Sequence, residues 1–119
     1  MNWTEGRRNA FIMSTLRSGT RRWPPKWEVL DLAKRDKKIN PKTGRLAQFY
    51  RCAACDEDFT STQIEVDHIR PVVDPKVGFI SWDEIIKNLF CPAENLQVLC
   101  IPCHKKKSKE ETITRKKKE

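Results

Sequence analysis

Cys52-Ala53-Ala54-Cys55, Val66-Asp67-His68-Ile69 and Cys100-Ile101-Pro102-Cys103-His104 decide how this 119-residue chain is read. Two C-x-x-C pairs offer four thiolates at the spacing from which closed tetrahedral zinc sites are built. Between Cys55 and Cys100 lie 44 residues, more than a simple zinc ribbon holds, so a whole unit can be inserted between the two knuckles. Asp67, His68 and His104 fall outside that closed set. A carboxylate and two imidazoles are what a second, catalytic divalent cation and a general base require. His68 and His104 are the only histidines in the chain. One follows an aspartate near the end of an expected strand, the other follows a cysteine at the start of an expected helix. A strand-end carboxylate and a helical imidazole can converge on one cation. Cys91 is a fifth, unpaired cysteine, expected to be a small buried apolar residue at a helix end.

Composition points the same way. Apolar residues make up 38% of the chain, below the roughly 45–50% usual for globular domains. A core so limited is commonly stapled by a metal. No apolar run is long enough to span a bilayer. No charged-then-apolar leader with a small-residue cleavage site opens the chain, so a cytoplasmic protein without membrane contact is expected. In that reducing compartment paired cysteines serve as metal ligands rather than disulfides. The net charge of +8 is unevenly spread: residues 1–51 hold 13 Lys/Arg and 4 Asp/Glu, residues 52–100 hold 3 and 9, and residues 101–119 hold 8 and 3. Basic ends suit a polyanion, whose counterions are released on binding. An acidic middle would repel that polymer unless a cation sits there. Arg7, Arg8, Arg21 and Arg22, with Lys105, Lys106 and Lys107, are the candidate phosphate contacts. The same charge pattern also fits ends that are merely solvated.

Along the chain, a basic N-terminal region (residues 1–48) is expected to be helical. Residues 4–18 read as a helix with Thr4 as N-cap, and Pro24-Pro25 introduces a second near Lys26. Residues 36–45 have loop chemistry, punctuated by Asn40-Pro41 and Gly44. Phe49-Tyr50-Arg51 and Gln63–Ile69 read as strands, the latter alternating Ile64 and Val66 against Glu65 and Asp67. Asp56-Glu57-Asp58 is expected to turn the first knuckle. Ser81-Trp82-Asp83-Glu84 has the form of a capping box, and the helix it opens carries Ile85, Ile86, Leu89 and Phe90. Leu96–Leu99 is a brief apolar stretch. A last helix beginning near Pro102 places His104, Lys107 and Glu111 on adjacent turns. Residues 112–119 are expected to be a disordered basic tail. Trp3, Trp23, Trp27 and Trp82 fit core positions better than base stacking, and Glu65 fits a solvated strand position better than a supporting role beside Asp67.

Taken together, Cys52-x-x-Cys55, Asp67-His68-Ile69 and Asn95-Leu96-Gln97-x-Leu99-Cys100-x-x-Cys103-His104-x-x-Lys107 resemble the HNH endonucleases, the ββα-metal type with an added zinc site, over about residues 50–111. The stretch from Val66 through Pro71-Val72-Val73-Asp74-Pro75 to Trp82-Asp83-Glu84, and Trp23-Pro24-Pro25, are similar to small HNH proteins of tailed bacteriophages. The resemblance implies an α+β fold: a ββα-metal core over residues 49–111, stapled by zinc on Cys52, Cys55, Cys100 and Cys103. It implies that His68 is the general base, that Asp67 and His104 hold a catalytic Mg²⁺, Mn²⁺, Co²⁺ or Ni²⁺, and that Asn95 positions the loop behind the catalytic strand. The mixed Asp/His pair is borderline-hard and compatible with those cations. The implied activity is metal-dependent hydrolysis of DNA phosphodiesters. A single site per chain favours nicking by a monomer. DNA is the implied partner, with phage packaging or replication proteins beside it, and the host-cell cytoplasm is the implied location. The competing reading is a non-catalytic, zinc-stabilised nucleic-acid-binding or packaging accessory module. A third is an RNA or junction nuclease. A pure binding module has no need of Asp67, His68 and His104 around its cysteine cage.

Overall fold

The computed structural model describes residues 3–118. Helix α1 (Glu5–Gly19) starts where Thr4 accepts the Arg7 amide at 3.2 Å, satisfying one orphan donor of the first turn. A short 3₁₀ turn (Thr20–Arg22) leads to α2 (Pro25–Ala33), which has proline in its first turn, where no intrahelical donor is lost. Three antiparallel pairs follow: β1 (Lys38–Ile39) with β2 (Leu46–Ala47), β3 (Phe49–Arg51) with β4 (Asp58–Thr60), and β5 (Ile64–His68) with β6 (Leu96–Cys100). Between β5 and β6 lies α3 (Trp82–Leu89), capped by Ser81, which accepts the Glu84 amide at 3.2 Å. Helix α4 (Ile101–Lys118) leaves β6 with no intervening loop.

The β5–β6 ladder, set at Ile64↔Cys100, Asp67↔Gln97 and His68↔Leu96, is the plane on which the site is built. Strand alternation puts Ile64, Val66 and His68 on one face and Glu65 and Asp67 on the other. The apolar face packs on α2, burying Val29, Ile64, Leu96 and Val98 with Cys91 in one cluster. The opposite face meets α4. A second buried cluster, Cys52, Leu99 and Cys100, lies under the cysteine pairs. The third joins Val72 to Ile85 and Leu89 of α3, with Met13 and Leu16 of α1 packed against it. The N-terminal helices are therefore fastened to the rest of the chain by apolar contacts. The Trp23 indole adds a bond by donating to the Cys91 carbonyl at 2.6 Å. Cys91 itself is buried just after α3, as its unpaired position suggested.

Three local expectations are corrected. Residues 36–45 are not all loop, because β1 and β2 close a small hairpin around Gly44, whose φ of +70° is the left-handed conformation glycine adopts without strain. The Asp56–Asp58 turn is shorter than expected: Asp58 already belongs to β4 and pairs with Arg51, leaving Asp56 alone at positive φ. Residues 112–118 are not a disordered tail but the last turns of α4; Glu119 lies outside the described residues. No Gly or Pro follows Pro102, and Glu111 stands four residues before Arg115, a spacing that supports a helix. Of the tryptophans, Trp23 and Trp82 are half-buried against core clusters, whereas Trp3 and Trp27 are exposed.

Candidate functional site

The two cysteine pairs converge. The four sulfurs of Cys52, Cys55, Cys100 and Cys103 lie within 4.8 Å of one another, so they are placed to hold a metal ion. Cys52 follows directly on β3, and its knuckle is shaped by the Cys52 amide donating to the Glu57 carbonyl and the Asp56 amide to the Cys52 carbonyl. The Ala53 amide donates to Val98 at 2.8 Å, tying that knuckle to β6. Cys100 ends β6 and Cys103 sits in the first turn of α4. The Cys55 and Cys100 sulfurs are 3.9 Å apart, close to the edge of about 3.8 Å that four bonds of ~2.3 Å to zinc would give. The chemistry of the donor set agrees. Burial pushes the Cys52 thiol up, but hydrogen bonds at Cys100, Cys55 and Ala54 outweigh it and bring the thiol down to about 6. Cys103 is pushed up to about 12, chiefly by the hydrogen bond it shares with the Cys100 sulfur and then by burial. Sulfurs so crowded cannot all ionise until a cation neutralises them.

The cage fixes the start of α4, and the residue after Cys103 is therefore aimed at β5. His104 lies between the two acidic residues of the outward strand face: its Nδ1 is 3.6 Å from Glu65 Oε2 and its Nε2 is 3.7 Å from Asp67 Oδ1. The Nε2–Oδ1 separation is beyond hydrogen-bond distance and short enough for one cation to touch both atoms. Asp67 is nearly covered, its side chain 13% exposed. Its other oxygen, Oδ2, accepts from Gln97 Nε2 at 3.2 Å and forms an ion pair with Lys107 Nζ at 3.0 Å. Lys107 is thus turned inward, contrary to its expected place among the phosphate contacts. Its ammonium also meets the His68 carbonyl and Glu111 Oε1, each at 2.8 Å. Burial alone would lower its pKa, but Glu111 and Asp67 together raise it, keeping the amine charged.

His68 sits at the end of β5 on the opposite face. Its Nε2 meets the Leu89 carbonyl at 2.9 Å. A carbonyl can only accept, so Nε2 carries a proton, and in the neutral ring Nδ1 keeps its lone pair. A small cavity of about 50 Å³ adjoins the ring, lined also by Thr20, Trp23 and Lys26 from the N-terminal helices. Asn95 fastens the chain leaving β5: its carbonyl accepts the Ile69 amide at 2.8 Å and its side-chain oxygen the Arg70 amide at 3.0 Å. An open groove of about 800 Å³ lies farther along the 69–80 loop and α3, and Asp67, His68 and His104 do not line it. Arg7, Arg8, Arg21, Arg22, Lys105 and Lys106 are all exposed.

A family model described as HNH endonuclease matches residues 52–110. That stretch belongs to the HNH endonuclease family. Searches of curated proteins and of solved structures returned no match. The HNH region contains both cysteine pairs, the Asp67–His68 step, Asn95, His104 and Lys107. Among the described residues no helix is long and apolar enough to cross a membrane.

Sequence reasoning assigns no role to Gln97, Glu111 or the Leu89 carbonyl. Gln97 is detectable in principle, since any pairing of β5 with β6 that aligns Ile64 with Cys100 puts it opposite Asp67. The other two are not, because a carbonyl at the end of α3 meets His68 only once the intervening residues have folded back. Glu65, expected to be solvated, is exposed but faces His104.

Proposed function

We propose that this protein is a metal-dependent HNH endonuclease that hydrolyses DNA phosphodiesters, nicking one strand per event as a monomer, with zinc in the cysteine cage. The observation that carries this reading is the pairing of Asp67 Oδ1 with His104 Nε2, 3.7 Å apart, on the strand whose following residue, His68, has its Nε2 held by the Leu89 carbonyl. Asp67 and His104 would hold the catalytic divalent cation, Mg²⁺, Mn²⁺, Co²⁺ or Ni²⁺. Bound there, it would neutralise charge on the phosphoryl oxygens and stabilise the departing 3′ oxygen. His68 takes a proton from the attacking water at Nδ1, while the Leu89 carbonyl holds its Nε2–H and so its tautomer. Asn95 keeps the chain after His68 from swinging by binding the Ile69 and Arg70 amides. Lys105 and Lys106 on α4, with Arg7, Arg8, Arg21 and Arg22 on the N-terminal region, supply the positive surface that a phosphate backbone needs.

The likeness to small HNH proteins of tailed phages supports a phage-encoded enzyme working in the host cytoplasm beside packaging or replication proteins. The test is conversion of supercoiled plasmid to open circles across Mg²⁺, Mn²⁺, Co²⁺ and Ni²⁺, with wild type and His68→Ala in parallel. Nicking by wild type alone is the expected result. DNA binding with no cleavage in any metal would hand the protein to the binding-module reading.

A further inference from the structure

We propose that Lys107 and Gln97 select the cation, by reserving one oxygen of Asp67 and leaving the other as a single-point ligand. This rests on the reading of Asp67 and His104 as the metal pair. An ammonium has three donors. Those of Lys107 have three acceptors at hand: Asp67 Oδ2 at 3.0 Å, the His68 carbonyl at 2.8 Å and Glu111 Oε1 at 2.8 Å. With two hydrogen bonds and an ion pair already made and its side chain 26% exposed, it is poorly placed to reach a DNA phosphate. The consequence falls on Asp67. Its Oδ2 accepts from Gln97 and is ion-paired with Lys107, and only Oδ1 faces His104 Nε2.

A carboxylate locked in this way cannot turn both oxygens to one cation without giving up a hydrogen bond and a 3.0 Å ion pair. That constraint bears unequally on different metals. Mg²⁺ is small and octahedral, keeps several waters and needs only one oxygen per carboxylate. Ca²⁺ takes six to eight oxygens and commonly draws two from the same carboxylate. The lock therefore favours small six-coordinate cations over Ca²⁺, a discrimination that the residue types Asp and His do not themselves supply. Glu111 has a part in it. By pairing with Lys107 four residues away on α4 it keeps the ammonium in place. The β5–β6 register, which sets Gln97 opposite Asp67, supplies the second half of the lock.

The test is calorimetric titration of the zinc-loaded, DNA-free protein with Mn²⁺, Mg²⁺ and Ca²⁺, comparing wild type, Lys107→Met, Gln97→Leu and Asp67→Ala. Removing the Lys107 charge strengthens binding of every dication, so the informative quantity is the ratio of affinities. Lys107→Met is expected to shift the Ca²⁺-to-Mg²⁺ ratio about tenfold toward Ca²⁺. Gln97→Leu, which changes no charge, should move it the same way by a smaller factor. Equal gains for all three metals in Lys107→Met, with no ratio change in Gln97→Leu, would overturn the proposal. If Lys107→Met loses its native circular dichroism, Gln97→Leu decides alone. Mn²⁺ binding undiminished in Asp67→Ala would overturn the underlying metal-pair reading instead.

Discussion

His68 and His104 are indistinguishable as residue types, yet replacing each by alanine should disable the protein in a different way. The His68 ring lies on the Ile64–Val66 face of β5, whereas Asp67 and His104 meet across the other face. Its truncation leaves Oδ1 and Nε2 where they are. The structural loss is one hydrogen bond to Leu89, on the order of 1 kcal/mol, which a domain of ordinary stability tolerates. In the proposed mechanism the chemical loss is the base, worth ~10²–10⁴-fold in rate, or about 2.7–5.5 kcal/mol of barrier. Added metal should restore none of it. His104→Ala keeps the base and removes one of two protein ligands. Loss even of partners behind the ligands weakens metal sites roughly 10–100-fold, so the midpoint of a Mn²⁺ titration should move up by about a hundredfold. Mass action at high metal should then recover part of the activity. The assay is plasmid nicking rate against Mn²⁺ and Mg²⁺ concentration for both variants, with zinc measured by atomic absorption to show that the neighbouring cage is intact. Rescue of His68→Ala by metal, with none for His104→Ala, would show the two roles to be exchanged. Wild-type rates from both variants would refute the nuclease mechanism.

Other outcomes follow from the same geometry. Purified protein should carry about one zinc per chain, and Cys100→Ser should lose both zinc and native circular dichroism, because ligand release here is unfolding. A folded, fully active Cys100→Ser protein would contradict this. Deleting residues 112–119 removes four cationic residues beyond Glu111. It should weaken DNA binding on all sequences alike and reduce the salt slope, by up to ~0.9 for each phosphate no longer neutralised; an effect confined to one sequence would mean the helix reads bases. Trp23→Phe keeps the ring packing but strips the Cys91 carbonyl of its donor. It should cost about 1–3 kcal/mol in a urea melt, and an unchanged midpoint would show that this bond does not hold the N-terminal helices down.

The cysteine spacing, the Asp67–His68 step and the CH pair at residues 103–104 were legible because each is a local chemical pattern. Four soft donors at C-x-x-C spacing permit few structures, and the alternation of Ile64 and Val66 with Glu65 and Asp67 assigns each side chain to a strand face before any fold is known. The helix starts at Thr4 and Ser81 were legible for the same reason, since a cap is satisfied within four residues. What escaped the sequence depends on groups distant along the chain. The Leu89 carbonyl that sets the His68 tautomer is 21 residues away, and the Lys107 ammonium that meets the His68 carbonyl is 39 residues away. Charge alone made Lys107 a candidate phosphate contact like its neighbours Lys105 and Lys106. Helical phase turns it by about 100° per residue onto the face that meets β5, where Asp67 and Glu111 hold it. Residue chemistry along the chain limits which atoms are candidates to bind metal or take a proton; the packing of α4 and α2 on opposite faces of one two-stranded ladder sets which of them meet, because burial and hydrogen bonding act on neighbours in space.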